Sequence, residues 1–301
     1  MSFDPLIPPS PAESQMRQSP VRAALVARWR GDPLFKIGVV LVAVVIVTAI
    51  FAPLIATADP RRGDLAHNYL APPSREFLFG ADAQGRDVFS RVLYGARISL
   101  MVGLISQCVA MALGVTLGML AGYYRRGVDL FVMRLADVTL AFPSLLLLIA
   151  VAAAIRPSLP LTFVVIGIVG WAGVARLVRA QVLVLARSEY VIASRALGAG
   201  DRWIMVRHLL PNVGAAVIIT ATLGIAGAIM AEAALSFIGL GAQPPTPSWG
   251  SMVAEGRVLI RVAPWVSVAP GLAVGVAVLG FNLVGDGLRE ALDPLLQQRT
   301  S

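Results

Sequence analysis

Residues 37–57 carry no formal charge and are apolar almost throughout, about the length a helix needs to cross the hydrocarbon core of a bilayer. Five more apolar runs follow, at 98–124, 138–155, 161–175, 213–231 and 262–285. A water-soluble globule cannot bury six such stretches. Ordinary globular domains carry about a quarter charged residues and slightly under half apolar ones, whereas here 14% are charged and 57% hydrophobic, with a mean hydropathy of +0.78. The spacing therefore predicts an all-α, polytopic membrane protein with six transmembrane helices. The first run also has the look of a cleaved leader, with Ala56, Thr57 and Ala58 as the cleavage site. Thirty-six residues precede it and it exceeds the usual length of a leader's apolar region, so a retained span is expected.

These runs divide the chain into a tail at 1–36, a first span at 37–57, a loop at 58–97, a five-span core over 98–285 and a tail at 286–301. Within the core, 176–212 and 232–261 are the long inter-span segments. Residues 1–19, rich in Pro, Ser and Gln, read as a disordered tail. Pro143 and Pro270 fall inside spans, where neighbouring helices tolerate them as kinks rather than breaks. Gly114 with Gly118, and Gly271 with Gly275, have the small-xxx-small spacing that lets membrane helices approach closely, although glycine is common in such helices anyway.

The net charge of +8 falls between the apolar runs, so it reports topology and lipid contact rather than a nucleic-acid partner. With the amino terminus inside, the internal segments hold 16 of the 25 Lys and Arg. Six of the external ones lie in 58–97, among Asp59, Asp64, Glu76, Asp82 and Asp87. That bias places both termini in the cytoplasm. Cys108, the one cysteine, excludes an intrachain disulfide and a thiolate metal cluster.

The segment 176–212 is far longer than a connection needs to be. Residues 188–197 read as a short helix, with Glu189 in its first turn and Gly198 and Gly200 as candidates to cap its end. Asp201 is a suitable N-cap for a second helix whose apolar face is Trp203, Ile204, Val206 and Leu210, stopped by Pro211. The expectation is a cytoplasmic helix-turn-helix between two spans, with Ala193, Ala196 and Gly198 offering close approach to a soluble partner.

These residues also carry a resemblance. Ala193-Ser194, Gly198 and Leu210-Pro211 fall on the spacing E-A-A-x3-G-x9-I-x-L-P of the EAA loop in permease subunits of bacterial ABC importers, with Ile192 in place of the glutamate and His208 in place of the isoleucine. Three further strings are similar to the dipeptide/oligopeptide/nickel branch: GADAQGRDVFSR from Gly80 with YGARISL from Tyr94, ALSFIGLGAQPPTPSWG from Ala234, and FNLVGDGLR from Phe281 with Asp293-Pro294. The order and extent resemble a DppC/OppC-type subunit.

That resemblance implies a MetI-like permease fold in a bacterial inner membrane and half of a pore for di- or oligopeptides, with nickel, glutathione or another small solute as the alternative cargo. It implies a second permease of the DppB/OppB type, two cytoplasmic ATPase subunits that bind ATP and Mg, and an external substrate-binding protein. No cofactor is expected on this chain, which is expected not to be an enzyme: no G-x-x-x-x-G-K-[ST] phosphate loop is present. The residues expected to meet the ATPase are Glu189, Tyr190, Ala193, Ser194, Arg195, Ala196, Leu197, Gly198 and Asp201.

Other residues read less sharply. Arg134 and Asp137 have the spacing of a local ion pair. Glu232 and Asp286 are expected at span ends, within reach of the interface. Arg86, Asp87, Arg91 and Arg97 beside Val88, Phe89 and Val92 suggest an amphipathic helix on the outer membrane surface or a dock for a binding protein. Pro244, Pro245 and Pro247 with Trp249 suggest a stiff external element, a scaffold or part of a gate. His67 and His208 are far apart in topology, which disfavours a metal site. An ion-driven carrier would need coupling acids or broken helices at mid-membrane, and an intramembrane enzyme would need a nucleophile with its base or a pair of metal ligands. Neither set is evident.

Overall fold

A computed structural model describes residue 29 and residues 31–154 and 158–292. The expected disordered tail at 1–19 and the Asp293-Pro294 match lie outside the described residues. The described chain is helical: α1 (Pro33–Ile50), α2 (Ala52–Ile55), α3 (Leu65–Asn68), α4 (Val88–Tyr124), α5 (Arg126–Ala141), α6 (Ser144–Ala154), α7 (Leu159–Leu185), α8 (Glu189–Ala196), α9 (Asp201–Ile204), α10 (Leu210–Phe237), α11 (Trp249–Gly256) and α12 (Trp265–Leu292). A π turn, Met205–Leu209, joins α9 to α10, so Asp201–Phe237 is one helical rod.

Five of these elements are long and apolar enough to cross a bilayer, and the bent pair α5–α6 makes the sixth candidate. Pro143 does more than kink that span. Phe142 is extended (φ −95°, ψ 140°), the conformation that the residue before a proline prefers, and α5 and α6 meet at 90°. Pro270, by contrast, sits inside an unbroken α12, as expected.

The side chains that start the helices are local. Asp32 caps α1, its carboxylate accepting from Leu34 N at 2.8 Å ahead of Pro33. Asp87 caps α4, and Ser248 closes a capping box with Ser251 at the start of α11. The tightest packing runs between α4 and α7, which lie parallel. A Cβ on Gly114 would stand 2.5 Å from Val174 Cβ, one on Gly118 2.5 Å from Ala175 O, and one on Gly122 2.8 Å from Val182 Cβ. The small-residue spacing is therefore a real interface here, whereas Gly271 and Gly275 of α12 meet almost nothing. Gly280 packs on Leu41 and Val42, and Gly287 on Phe35. The start of α1 and the finish of α12 consequently share one end of the bundle.

Candidate functional site

At that same end, the chain leaves α7 at Ala186 and turns into α8, which projects from the bundle. α7 runs ten residues past the expected Ala175, so the inter-span segment is shorter than the sequence suggested. Ser188, extended at φ −69° and ψ 148°, begins α8. Gly198 ends it at φ +85°: Gly198 N donates to Arg195 O and Ala199 N to Ser194 O, both at 3.0 Å. This pair of bonds is the Schellman arrangement, and it needs a residue that tolerates the left-handed region. Gly200 takes no part in that cap and is instead the N-cap of α9.

Asp201 is therefore not an N-cap but a first-turn residue of α9, and its carboxylate is used elsewhere. It accepts from Tyr123 Oη at 2.6 Å, at the far end of α4. Arg195 lies over the Tyr123 ring at 5.3 Å. Tyr123, Arg195 and Asp201 thus tie α4, α8 and α9 together. Pro211 does not stop the second helix. The π turn just before it widens the ladder and accommodates the ring, and Asn212 Nδ2 donates to His208 O at 2.6 Å.

Of α8 itself only Val191 is buried, seated among Val178, Val182, Ile204, Leu209 and Val213. Glu189, Tyr190, Ile192, Ala193, Arg195, Ala196 and Gly198 are exposed, and Leu197 is 89% exposed. Trp203 and Val206 extend this apolar surface. Ser194 donates its proton to Tyr190 O at 2.8 Å, so it accepts from His208 Nε2 at 3.0 Å, and His208 stands between the Tyr190 and Trp203 rings. Tyr123, Val191 and His208 are supports that the sequence did not single out, whereas Trp203 was expected on the apolar face of the second helix. Nothing in local spacing links position 123 to 201. The result is a stiff short helix on one apolar peg, presenting a large unpartnered face.

The acids and bases of the spans agree with expectation only in part. Asp137 is 3.9 Å from Arg134 but 2.6 Å from Arg176, and Asp129 pairs with Arg179 through two bonds, so α5 is strapped to α7. Asp286 is exposed, but Glu232 is fully buried rather than reaching the interface. At the opposite end, Arg91 is 2% exposed inside a cluster with Asp82, Arg86 and Glu255. Residues 86–97 are thus not a surface amphipathic helix. From Val88 they are the first turns of α4, and the glycine-rich string before them is a turn built on Asp82, which accepts from Gln84 N, Arg86 N and Arg86 Nε at 2.7–3.0 Å. Burying these charges is tolerable because each has a partner.

A family model described as a binding-protein-dependent transport system inner membrane component matches residues 114–298. The chain belongs to that family. A second model, the N-terminal TM domain of oligopeptide transport permease C, matches residues 19–73 of this permease. The dipeptide transport system permease protein DppC of Alkalihalophilus pseudofirmus is 42% identical, over 99% of this chain and 97% of its own length. The di/tripeptide transport system permease protein DppC of Pseudomonas aeruginosa is 44% identical (86% and 88%), and the glutathione transport system permease protein GsiD of Escherichia coli 43% (90% and 89%). An inward-facing structure of the MetNI methionine ABC transporter shares the fold, with a TM-score of 0.54 at 18% identity, covering 67% of this permease and 97% of that chain. The permease is therefore a multi-pass, MetI-like, DppC/OppC-type membrane subunit.

Proposed function

We propose that this permease forms half of the translocation pore of an ATP-driven importer for di- and oligopeptides. A DppB/OppB-type permease supplies the other half, an external binding protein delivers cargo, and two cytoplasmic ATPase subunits bind ATP and Mg. The chain itself then needs no cofactor. The observation that carries this reading is α8: a capped helix with one buried residue and a wide exposed face, fitted to pass a rigid-body push from the ATPases through Val191 and the Tyr123–Asp201 bond into α4, α7 and α10. Glu189, Tyr190, Ala193, Ser194, Arg195, Ala196, Leu197 and Gly198 would make that contact, with Asp201 bracing it. A glutathione cargo is the second reading, favoured by the GsiD relative. The tagged permease should co-purify with ATPase subunits and take up radiolabelled dipeptide only when ATP and binding protein are present. Uptake driven by an ion gradient without an ATPase would overturn the proposal.

Both termini are proposed to be cytoplasmic. The distribution of Lys and Arg supports this reading, with 16 of the 25 falling in the internal segments. In a Cys108→Ser background, single cysteines at the exposed positions Asp64 and Gln243 should react with an impermeant thiol reagent from outside, and one at Gly200 should not. The reverse labelling would overturn the orientation.

Cargo identity is assigned to the binding protein. The spans offer mainly Val, Ala, Leu, Ile and Gly with a few hydroxyls such as Ser106, Thr116 and Thr220, while those of Thr48, Thr139, Thr162 and Thr222 bond carbonyls of the preceding turn, so few oriented polar groups are left for a ligand. Discrimination of about a thousandfold needs several oriented bonds, each worth roughly 1–3 kcal/mol. Exchanging only the binding protein for a docking relative with another ligand should redirect transport. If the exchanged system stimulates ATP hydrolysis yet moves only the original cargo, the permease itself selects.

A further inference from the structure

Glu232 lies near the end of α10 with 0% exposure, and both of its oxygens are met by serine. Ser236 Oγ donates to Oε1 at 2.6 Å and Ser99 Oγ, on α4, to Oε2 at 3.3 Å. Having given its one proton to Glu232, Ser236 accepts from Ala242 N at 3.2 Å and from Ser248 Oγ at 3.3 Å, which uses both lone pairs. Ser248 is the N-cap of α11. One polar chain therefore runs from α4 through Glu232 to the N-cap of α11. An ionisable group inside a membrane protein is costly to keep, and apolar side chains could have filled this volume.

The same helix is held to α4 at two further points. Trp249 Nε1 donates to Val92 O at 2.9 Å, with its ring against Gly95, and Glu255 bridges Arg86 and Arg91 at 3.0 Å each. Gly250 brings the α11 backbone so close to α10 that a Cβ there would stand 2.6 Å from Ala233 Cα. All three ties are directional polar contacts, which hold one register and break over a small displacement, whereas an apolar face would slide.

We propose that Glu232 is a positioning residue for transport: through Ser99 on one side and Ser236 and Ser248 on the other, it seats α11 against α4. With the chain cut at Glu232, α11 lifts, and ATP hydrolysis no longer drives cargo at full yield. The transport half of this inference rests on the importer reading above; the seating half does not.

Met252, 2% exposed and packed with Val88 and Val266, reports the seat. In a Met252→Cys, Cys108→Ser background within the assembled complex, the cysteine should resist an impermeant thiol reagent. Glu232→Ala should raise its labelling rate by about ten- to a hundredfold, the range expected when a buried bond to a carboxylate is lost. Glu232→Gln should restore protection, because its amide oxygen still accepts from Ser236 and its NH2 donates to Ser99. Peptide moved per ATP hydrolysed should fall with Ala and recover with Gln. Where Glu232→Ala does not reach the membrane, Ser236→Ala cuts the same chain one link later and is read the same way. Unchanged labelling in the Ala variants, or a Gln variant labelled as fast as Ala, overturns the seat. Faster labelling with undiminished peptide per ATP overturns the transport role. A complex that labels as expected but transports no peptide even with Glu232 intact refutes the cargo reading and leaves the seat standing.

Discussion

Replacing Gly118 by valine is expected to leave little folded permease in the membrane. A Cβ at this position would stand 2.5 Å from Ala175 O and 3.0 Å from Ala175 Cα and Val178 Cβ. Two of those atoms are backbone of a helix and cannot swing aside, so α4 and α7 must part. In a bilayer no hydrophobic effect pulls them back, because lipid tails solvate the exposed faces as well as a neighbouring helix does. Overpacking in a core costs about 1–3 kcal/mol even where side chains can move. Here the separation also loosens the contacts of Gly114 and Gly122 on either side. Gly275→Val is the matched control, since nothing lies within 4 Å of its Cβ position. The measurement is membrane-inserted protein and thermal midpoint in detergent. Equal accumulation and equal melting of the two variants would show that the α4–α7 approach is not what holds the bundle.

Gly198→Val is expected to abolish transport while the permease still reaches the membrane. The φ of +85° is open to glycine and strained for a β-branched residue by about 1–2 kcal/mol. Within this chain a Cβ there meets nothing within 4 Å, so the bundle itself does not object. What changes is the end of α8: the Schellman bonds loosen, and Leu197, Gly198 and Ala199 move on the face proposed to meet the ATPase. Asparagine tolerates the left-handed region, so Gly198→Asn separates backbone from surface. Partial recovery with Asn places the loss in the cap. Loss with both places it in occlusion of the docking face. Normal ATP-driven uptake by Gly198→Val would remove this residue from the coupling mechanism. Valine's effect should be on uptake rather than stability, the opposite of the Gly118 result.

The span reading was legible because a bilayer tests apolar length residue by residue, and 37–57, 98–124 and 213–231 each meet that test alone. Helix ends were not. α4 begins ten residues before the expected 98, because Arg91 is neutralised by Asp82 and Glu255, the latter more than 160 positions away in the chain, and a charge with a distant partner reads as surface when seen alone. The third span looked continuous because a proline between apolar runs is tolerated when its neighbours satisfy the freed groups. Whether they do, or the chain turns through 90°, is decided by Phe142 and by what surrounds it.

At the proposed coupling face, the cap of α8 was legible in Gly198, since a helix of this length followed by glycine has few other endings. Asp201 was read as a cap because the type and position suited one, and the nearer competitor, the Tyr123 hydroxyl, comes from another span.

Sequence by itself therefore determined the solvent, the number of apolar runs, the helical class and the short helix with its glycine end, all set by local composition and backbone preference. Only the tertiary structure decided which charges are buried and paired, which glycines are contacts, where the third span breaks, and that Glu232 is joined through serines to a helix sixteen residues on. Those outcomes depend on groups brought together from different spans, and a membrane chain places its polar residues by partner rather than by pattern, because an unpartnered one is too costly to keep.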